Sequence, residues 1–191
     1  ITGTHTAWVQ AYNITSNTWT MKNNFTSNLY PPDGKTLYNG NAVSNGTHIF
    51  IIGGERDDAT CGNVTIYDPA TDTYTETGAV MPVPTVAFSA GLIGDLIVCA
   101  GGGPNAARIN EVQVYNITSN TWDAGYADLP VERGGMTKWH DVAWTGDDGK
   151  HYLILLFGEK NNNFYNEGLL WCLEDNETLL VANMTGTPRD G

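Results

Sequence analysis

The sequence predicts an all-β fold assembled from repeated four-stranded sheets. The octapeptide YNITSNTW occurs twice, at 12–19 and 115–122, and a looser copy, YDPATDTY, occurs at 67–74. The opening tyrosines of successive copies are 55 and 48 residues apart. A repeat of about 50 residues that holds four short strands is typical of a β-propeller blade.

A second landmark keeps the same spacing. The apolar runs HIFIIGG and LIVCAGG end in glycine pairs, Gly53–Gly54 and Gly101–Gly102, which are 48 residues apart. Tyr67 and Tyr115 each follow the second glycine of their unit by 13 residues. Each unit therefore consists of an apolar strand, a double glycine, a loop, a strand ending near a Tyr, a tight turn and a strand opened by Trp or Tyr.

This combination of a glycine pair, a Tyr and a Trp about seven residues later resembles the kelch repeat. The resemblance covers nearly the whole chain and implies that the glycines close the second strand of a blade and that the aromatic residues pack between neighbouring blades. Glycine permits close backbone approach, and large aromatic side chains bury the most area in such a core. The architectural residues so implied are Gly53, Gly54, Gly101, Gly102, Tyr12, Trp19, Tyr67, Tyr74, Tyr115 and Trp122.

Residues 1–28 are predicted to form only the outer half of a blade. AWVQAYN at 7–13 alternates like a half-buried strand, ITSN is a turn, and TWTM begins the next strand. No apolar run ending in a glycine pair precedes them in the sequence. LYPPDGKT at 29–36 is a linker rich in Pro and Gly.

Two complete blades are predicted next, at 37–78 and 84–126. Both hold four strand segments in the same order, with the glycine pair after the second. Met81–Pro82 and Leu129–Pro130 occupy matching places in the linkers that follow these blades. Proline suits a linker because it has no N–H to donate to a sheet ladder.

The predicted third blade, at 133–184, departs from the pattern. Gly158–Glu159 stands where the other blades have a glycine pair, Trp171 takes the place of the Tyr, and no aromatic residue takes the place of the Trp. The packing of that blade's outer edge is therefore left open by the sequence.

The prediction is thus a kelch-type β-propeller of about three complete four-stranded blades plus an N-terminal half-blade. The resemblance to kelch propellers implies a closed ring with more blades than the three predicted here. An open arc of blades would leave sheet edges and blade faces exposed. Two hypotheses follow. The chain is a piece of a longer protein, or further copies of itself complete the ring or stack on it.

Composition argues against several classes of protein. The 191 residues fit one sizeable domain, and a net charge of −12 disfavours nucleic acid and anionic membranes, which attract basic patches. The longest apolar run, YLILLF at 152–157, has the length of a strand, so no membrane span is predicted.

Seven N-x-T sequons predict a secreted, N-glycosylated protein with glycans on exposed turns. The simpler alternative is that Asn and Thr are turn and strand formers, with two sequons arising from one duplicated motif. The candidate asparagines are Asn13, Asn24, Asn45, Asn63, Asn116, Asn176 and Asn183.

Three cysteines allow at most one internal disulfide in an oxidising compartment, and their pairing stays open. Cys61 lies in a predicted loop, whereas Cys99 and Cys172 lie in apolar strands and are expected to be buried thiols. No C-x-x-C motif indicates a zinc or redox site.

Some enzymes have a fold similar to the kelch propeller, and their catalytic residues can be compared with this sequence. Galactose-oxidase-like enzymes hold copper with two His and two Tyr, one Tyr being linked to Cys. The histidines here, His5, His48, His140 and His151, are scattered over different units. His140, between Trp139 and Asp141, is the best ligand candidate, but a polar strand or turn residue is the simpler interpretation, because a site needs several converging ligands. The E-x-x-x-D-x-x-x-H iron motif of nitrile-specifier kelch proteins is absent.

Sialate-epimerase-like kelch enzymes use Arg and Glu side chains in the central funnel. Glu55–Arg56 and Glu132–Arg133 are the pairs in this sequence that can be compared with those residues. Ordinary surface ion pairs are the simpler interpretation. The acidic pairs Asp57–Asp58 and Asp147–Asp148 lack calcium-loop spacing and are interpreted as solvated turn residues. No catalytic residue, metal site or cofactor is therefore assigned.

The leading hypothesis is a non-enzymatic, secreted propeller for binding, adhesion or extracellular assembly, with a protein or glycan ligand. The alternative is a part of a larger carbohydrate-active or copper-radical oxidoreductase whose catalytic residues lie mostly outside this segment. The longest loops, 55–63, 103–110 and 158–167, are the predicted contact surface. The binding candidates there are Asn163, Phe164 and Tyr165, although a wet turn with one packed aromatic would give the same pattern.

Overall fold

A computed structural model describes residues 9–23, 37–56, 59–104, 107–135, 142–156, 158–160, 163–165 and 167–183. All regular structure in these ranges is β-strand, and every pairing is antiparallel. This part of the chain has no helix of the length and apolarity that a membrane crossing requires. The all-β prediction is confirmed.

The first hairpin lies within residues 1–28, the segment that the sequence predicts to be an outer half-blade. β1 (Gln10–Asn13) pairs with β2 (Thr18–Met21), and Tyr12 lies opposite Trp19. The chain reverses at Asn17, whose φ of 54° is in the left-handed region that Asn tolerates better than most residues. The first YNITSNTW copy therefore folds as a two-stranded hairpin.

Three four-stranded sheets follow, named blades I, II and III, and each pairs its strands in chain order. Blade I contains β3 (Asn41–Ser44), β4 (Ile49–Ile52), β7 (Asn63–Asp68) and β8 (Thr73–Val80). Blade II contains β9 (Ser89–Ile93), β10 (Leu96–Ala100), β11 (Val112–Asn116) and β12 (Thr121–Asp123). Blade III contains β13 (Val142–Thr145), β14 (His151–Leu156), β17 (Glu167–Cys172) and β18 (Glu177–Asn183).

Two small hairpins extend the connections between the second and third strands. In blade I these are β5 (Glu55–Arg56) and β6 (Ala59–Thr60), and in blade III they are β15 (Glu159–Lys160) and β16 (Asn163–Phe164). Both follow the second strand of their blade directly.

Because the strands are antiparallel and paired in order, successive connections alternate between two ends of the blades. The turn end comprises the short connections at 14–17, 45–48, 69–72, 94–95, 117–120, 146–150 and 173–176. The loop end comprises the described residues of the connections 53–62, 101–111 and 157–166 and of the linker segments 81–88 and 129–141. The three long loops that the sequence singled out therefore share one end.

The hydrophobic core lies between neighbouring blades. One cluster joins blades I and II through Phe50, Ile52, Val64, Met81, Phe88, Ala90, Ile97, Cys99 and Tyr115. The other joins blades II and III through Ile93, Val98, Ala100, Val112, Val114, Leu129, Leu153, Leu155, Leu169 and Trp171. Successive residues of a strand face opposite sides, so β10 contributes alternately to both clusters. This explains why LIVCA is continuously apolar and not alternating.

The glycine pairs connect blades at the loop end. Gly54 N donates to the carbonyl of Thr85, and Gly102 N donates to the carbonyl of Arg133, at 3.1 and 2.8 Å. Gly102 has a φ of 85°, and a Cβ there would lie 2.5 Å from the carbonyl oxygen of Val86. Only glycine fits such a position without a shift of the backbone.

Blade III keeps the strand register despite its changed sequence. Trp171 lies opposite Thr178, as Tyr115 lies opposite Trp122 in blade II. Trp171 therefore takes the predicted place of the Tyr, and no aromatic residue takes the place of the Trp. Tyr126, from the preceding linker, packs edge-on against Trp171 with ring centroids 5.5 Å apart. The outer edge that the sequence left open is thus filled by an aromatic side chain from the linker.

Candidate functional site

The loop end of blades II and III is crossed by three ion pairs. Arg108, in the long loop of blade II, donates to Glu159 of β15 through two guanidinium nitrogens, and the Nε–Oε1 distance is 2.7 Å. A guanidinium that reaches one carboxylate with two donors is held in a defined orientation. This pair connects the loop of one blade to the hairpin of the next.

Arg133 forms the second pair and is fully buried, with 0% of its side chain exposed. Its Nη2 donates to Glu167 Oε1 at 3.0 Å, and its guanidinium carbon lies 4.7 Å from the centroid of the Tyr165 ring. Burial lowers the pKa of Arg133, and the Glu167 carboxylate opposes this shift. The interpretation of Arg133 as an ordinary surface residue was wrong, because the linker places it between blades.

The third pair lies nearer to solvent. Lys160 Nζ is 2.8 Å from Glu132 Oε2, and this hydrogen bond raises the pKa of Lys160. Tyr165 Oη donates to the backbone carbonyl of Glu132 at 3.3 Å. Together with the Arg133 contacts, these bonds fix the β15–β16 hairpin against the linker that precedes blade III.

The three predicted binding residues differ in their exposure to solvent. Asn163 and Phe164 of β16 are exposed, with 41% of Phe164 accessible to solvent. Tyr165 is half-buried and packs on Arg133. Tyr165 is therefore a supporting residue, and Asn163 and Phe164 are the ones presented at the surface.

Arg108, Glu159 and Glu167 were not among the binding residues that the sequence predicted. A usable signal was the scarcity of cations, since the chain has nine Lys and Arg residues in total. Four of them, Arg56, Arg108, Arg133 and Lys160, lie at the loop end. Clustering of rare charged residues in the long loops of successive repeats would have pointed to this end.

The turn end is built from one repeated contact. A tyrosine hydroxyl donates to the side chain five residues later, from Tyr12 to Asn17, Tyr67 to Asp72 and Tyr115 to Asn120, at 2.5, 2.8 and 2.8 Å. All three acceptor residues have φ near 55°. The octapeptide thus carries both the tyrosine and the residue that tolerates the left-handed turn.

Four of the predicted glycosylation sites lie at the turn end. In each, the side-chain oxygen accepts a backbone N–H: Asn13 from Thr15, Asn45 from Thr47, Asn116 from Ser119, and Asn176 from Ala127, at 2.9, 3.1, 3.0 and 2.7 Å. These bonds engage the oxygen and not the nitrogen to which an N-glycan is attached. Asn63 begins β7 and Asn183 ends β18, both towards the loop end, and Asn24 lies outside the described residues.

Asp68 occupies in blade I the place of Asn13 and Asn116, and its carboxylate accepts the N–H of Ala70 at 2.8 Å. The turn therefore requires an acceptor oxygen, which Asp and Asn both supply. The sequon asparagines therefore stabilise turns, and this role is compatible with their being glycosylated as well as with their being turn formers alone.

The cysteines are all free thiols. Cys99 and Cys172 are buried as predicted, and burial raises the pKa of both; Cys61 is partly exposed. The raised pKa keeps the Cys99 and Cys172 thiols protonated at neutral pH, so these two side chains are not reactive thiolates.

Within the described ranges, no group of three or more His, Cys, Asp or Glu side chains could hold a metal ion. His48 and His151 lie at the turn end of different blades, while His5 and His140 fall outside the described residues. Asp148 accepts from Tyr152 Oη at 2.7 Å and from Lys150 N at 3.1 Å, which fits the predicted turn role. Asp57 and Asp58 also lie outside the described residues.

The antiparallel blades, with their cores between neighbours, define a kelch-type β-propeller fold. A putative F-box/kelch-repeat protein of Arabidopsis thaliana is 29% identical over 105 residues, which is 53% of this chain and 28% of that protein. The structure of YjhT matches with a TM-score of 0.69 over 89% of this chain and 57% of YjhT, at 12% identity, which shows the fold alone. No family model matches the sequence. This chain thus spans about half of YjhT and a smaller share of the plant protein.

Proposed function

We propose that this chain is a secreted, N-glycosylated propeller segment that binds a protein or glycan ligand with the loop end of its blades. Kelch-type folds are typical of protein-interaction and binding modules, and loops at one end of a propeller provide their contact surfaces. The observation that carries the proposal is the difference between the two ends of the blades.

The loop end combines rigidity with exposed contact groups. The Arg108–Glu159 and Lys160–Glu132 pairs hold the β15–β16 hairpin in place. Phe164 and Asn163 project from that hairpin into solvent. An aromatic side chain beside an amide on a fixed support suits either a sugar ring or a protein surface, because little ordering is needed on binding.

Binding is tested with Phe164→Ala, which removes an exposed ring without disturbing a described ion pair. We expect at least tenfold weaker retention of this variant on a glycan array or an array of extracellular proteins. Ile14→Ala, at the exposed turn end, is the matched control and should bind like the unchanged chain. Equal binding by both variants would remove Phe164 from the proposed contact.

The turn end is proposed to carry the glycans. Asn13, Asn45 and Asn176 are exposed there, and Asn116 is half-buried at the equivalent place. Glycans at these positions would project away from the loop end and leave the ligand surface accessible.

Expression in a secreting eukaryotic host, followed by enzymatic removal of N-glycans, tests this part. We expect a mass decrease and peptide mapping of the modified sites to the turn-end asparagines. An unchanged mass would contradict the secreted, glycosylated part of the proposal. It would leave the loop-end binding experiment unaffected.

A further inference from the structure

The identical octapeptide occurs in two different environments. In blade II, only 1% of Tyr115 is exposed and Trp122 packs beside it against the blade I–II core. In the first hairpin, 44% of Tyr12 and 66% of Trp19 are exposed. The register and the tyrosine hydrogen bond are the same in both copies. The difference is therefore in what covers the aromatic pair and not in the hairpin itself.

The cover in blade II is an apolar face of blade I. Val43, Phe50 and Ile66 are direct register partners on adjacent strands. Phe50 and Tyr115 belong to the core cluster between blades I and II, and Val43, Ile66 and Trp122 pack against that cluster. Register partners in a sheet point to the same side. The aromatic pair thus rests on a row of apolar side chains that runs across the neighbouring blade.

Blade III presents a row of the same kind on the side that faces away from blade II. Val142, Ile154, Leu170 and Leu179 are successive register partners across all four strands. Val142 and Leu179 are 49% and 42% exposed, and the two central residues are partly buried. We name this row the acceptor face.

An aromatic stack extends the acceptor face. Trp144 stacks on Tyr152 with ring centroids 5.6 Å apart, and 46% of Trp144 is exposed. The opposite side of the same strands, with Leu153, Leu155 and Trp171, is already buried against blade II. The strands of blade III are therefore apolar on both sides, like β10, which has a blade on each side.

We propose that the acceptor face binds the exposed Tyr12–Trp19 pair, named the donor face, of a second copy of this chain. The occupant follows from the sequence identity of the octapeptides, because the chain already buries the same aromatic pair against the equivalent row of blade I. The contact is head-to-tail, so a pair of copies retains one unused donor face and one unused acceptor face, to which further copies can bind. This inference does not depend on ligand binding at the loop end.

The mass of the 191-residue chain in solution, measured by analytical ultracentrifugation over a wide concentration range, tests the proposal. We expect multiples of the 20.7 kDa polypeptide mass as concentration rises. A donor variant, Trp19→Lys, and an acceptor variant, Val142→Lys with Leu179→Lys, should each associate about thirtyfold more weakly or not at all.

Mixing the two variants distinguishes this contact from non-specific aggregation. The donor variant keeps an intact acceptor face and the acceptor variant keeps an intact donor face, so the mixture should form a one-to-one heterodimer and no larger species. Heterodimer formation also shows that both variants are folded. A chain that stays at single-copy mass at every concentration would overturn the proposal, as would a mixture that does not associate while the unchanged chain does.

Discussion

The turn end and the loop end of the blades are held by different kinds of contact. At the turn end, the same hydrogen bond from a tyrosine to a left-handed Asn or Asp recurs in the first hairpin, blade I and blade II. At the loop end, the pairs Arg108–Glu159 and Arg133–Glu167 both involve blade III or its linker and are not repeats of one another.

A repeat protein can vary a contact that is specific to one blade without altering the contacts that its units share. Contacts that recur in several units support the architecture that those units share. Contacts that occur once are specific to the surface on which they lie, which is the usual situation of binding loops on a rigid scaffold. Two pairs of substitutions compare the two ends, and a third pair compares a buried and an exposed copy of the turn-end hydrogen bond.

Replacement of a glycine should give the largest difference in unfolding free energy between the two ends. Gly102→Ala, at the loop end, combines a φ of 85° with a Cβ position 2.5 Å from the Val86 carbonyl oxygen, so we expect a loss of about 3 to 4 kcal/mol in unfolding free energy. Gly94→Ala, at the turn end, has a φ of 58° and open space, so about 1 kcal/mol is expected. Urea denaturation measures both, and equal losses would contradict the role of close approach at Gly102.

Removal of one ion-pair partner gives the next largest effect. Arg133→Ala leaves the Glu167 carboxylate without its buried guanidinium and should lower the unfolding free energy by about 3 kcal/mol. Lys150→Ala breaks the exposed pair with Asp175 at the turn end and should change stability too little to resolve. Chemical denaturation at low and high salt checks this, and a large loss in the Lys150 variant would reverse the comparison.

The repeated tyrosine bond should have the smallest effect of the three. Tyr67→Phe removes a hydrogen bond to Asp72 in a buried position and should cost about 1 kcal/mol. Tyr12→Phe removes the same bond on the exposed hairpin, where water replaces it, and should cost less. Thermal unfolding of both variants measures the difference.

The same tyrosine gives a pH dependence with a definite sign. Burial, followed by the hydrogen bond to Asp72, raises the pKa of Tyr67 from 10.0 to about 12. The unfolded chain therefore loses this proton first, so the contribution is complete below about pH 10 and is lost as pH rises towards about 12. Stability of the unchanged chain should fall more steeply in this range than that of Tyr67→Phe, and parallel curves would contradict the assigned shift.

The repeat made much of the fold predictable from the sequence. Octapeptide copies and glycine pairs mark the second, third and fourth strands of blades I and II, because register and backbone angles depend on residues close together in sequence. Trp171 was placed by the same spacing even though the local sequence of blade III had changed.

The loop-end contacts were not predictable in the same way. Arg133 and Glu167 are 34 residues apart and lie in different elements, so no local pattern joins them. The burial of Arg133 depends on a linker that crosses between two blades, where the repeat position in the preceding unit holds Thr85. Tyr126 filled the gap at Trp171 from a linker for the same reason. The loops of the candidate site could be located from the sequence. Which charged residues pair within those loops could be seen only in the folded structure.

The placement of the core between blades has a consequence for local opening of the chain. β10 contributes side chains to both clusters, so its amides can exchange with solvent only when contacts on two sides are lost. The β1–β2 hairpin belongs to neither cluster and can separate at much lower cost. In stacked repeats, such differences between neighbours produce graded local unfolding and not a single all-or-none step. Hydrogen exchange should therefore proceed inwards from the first hairpin, with the amides of β10 protected longest.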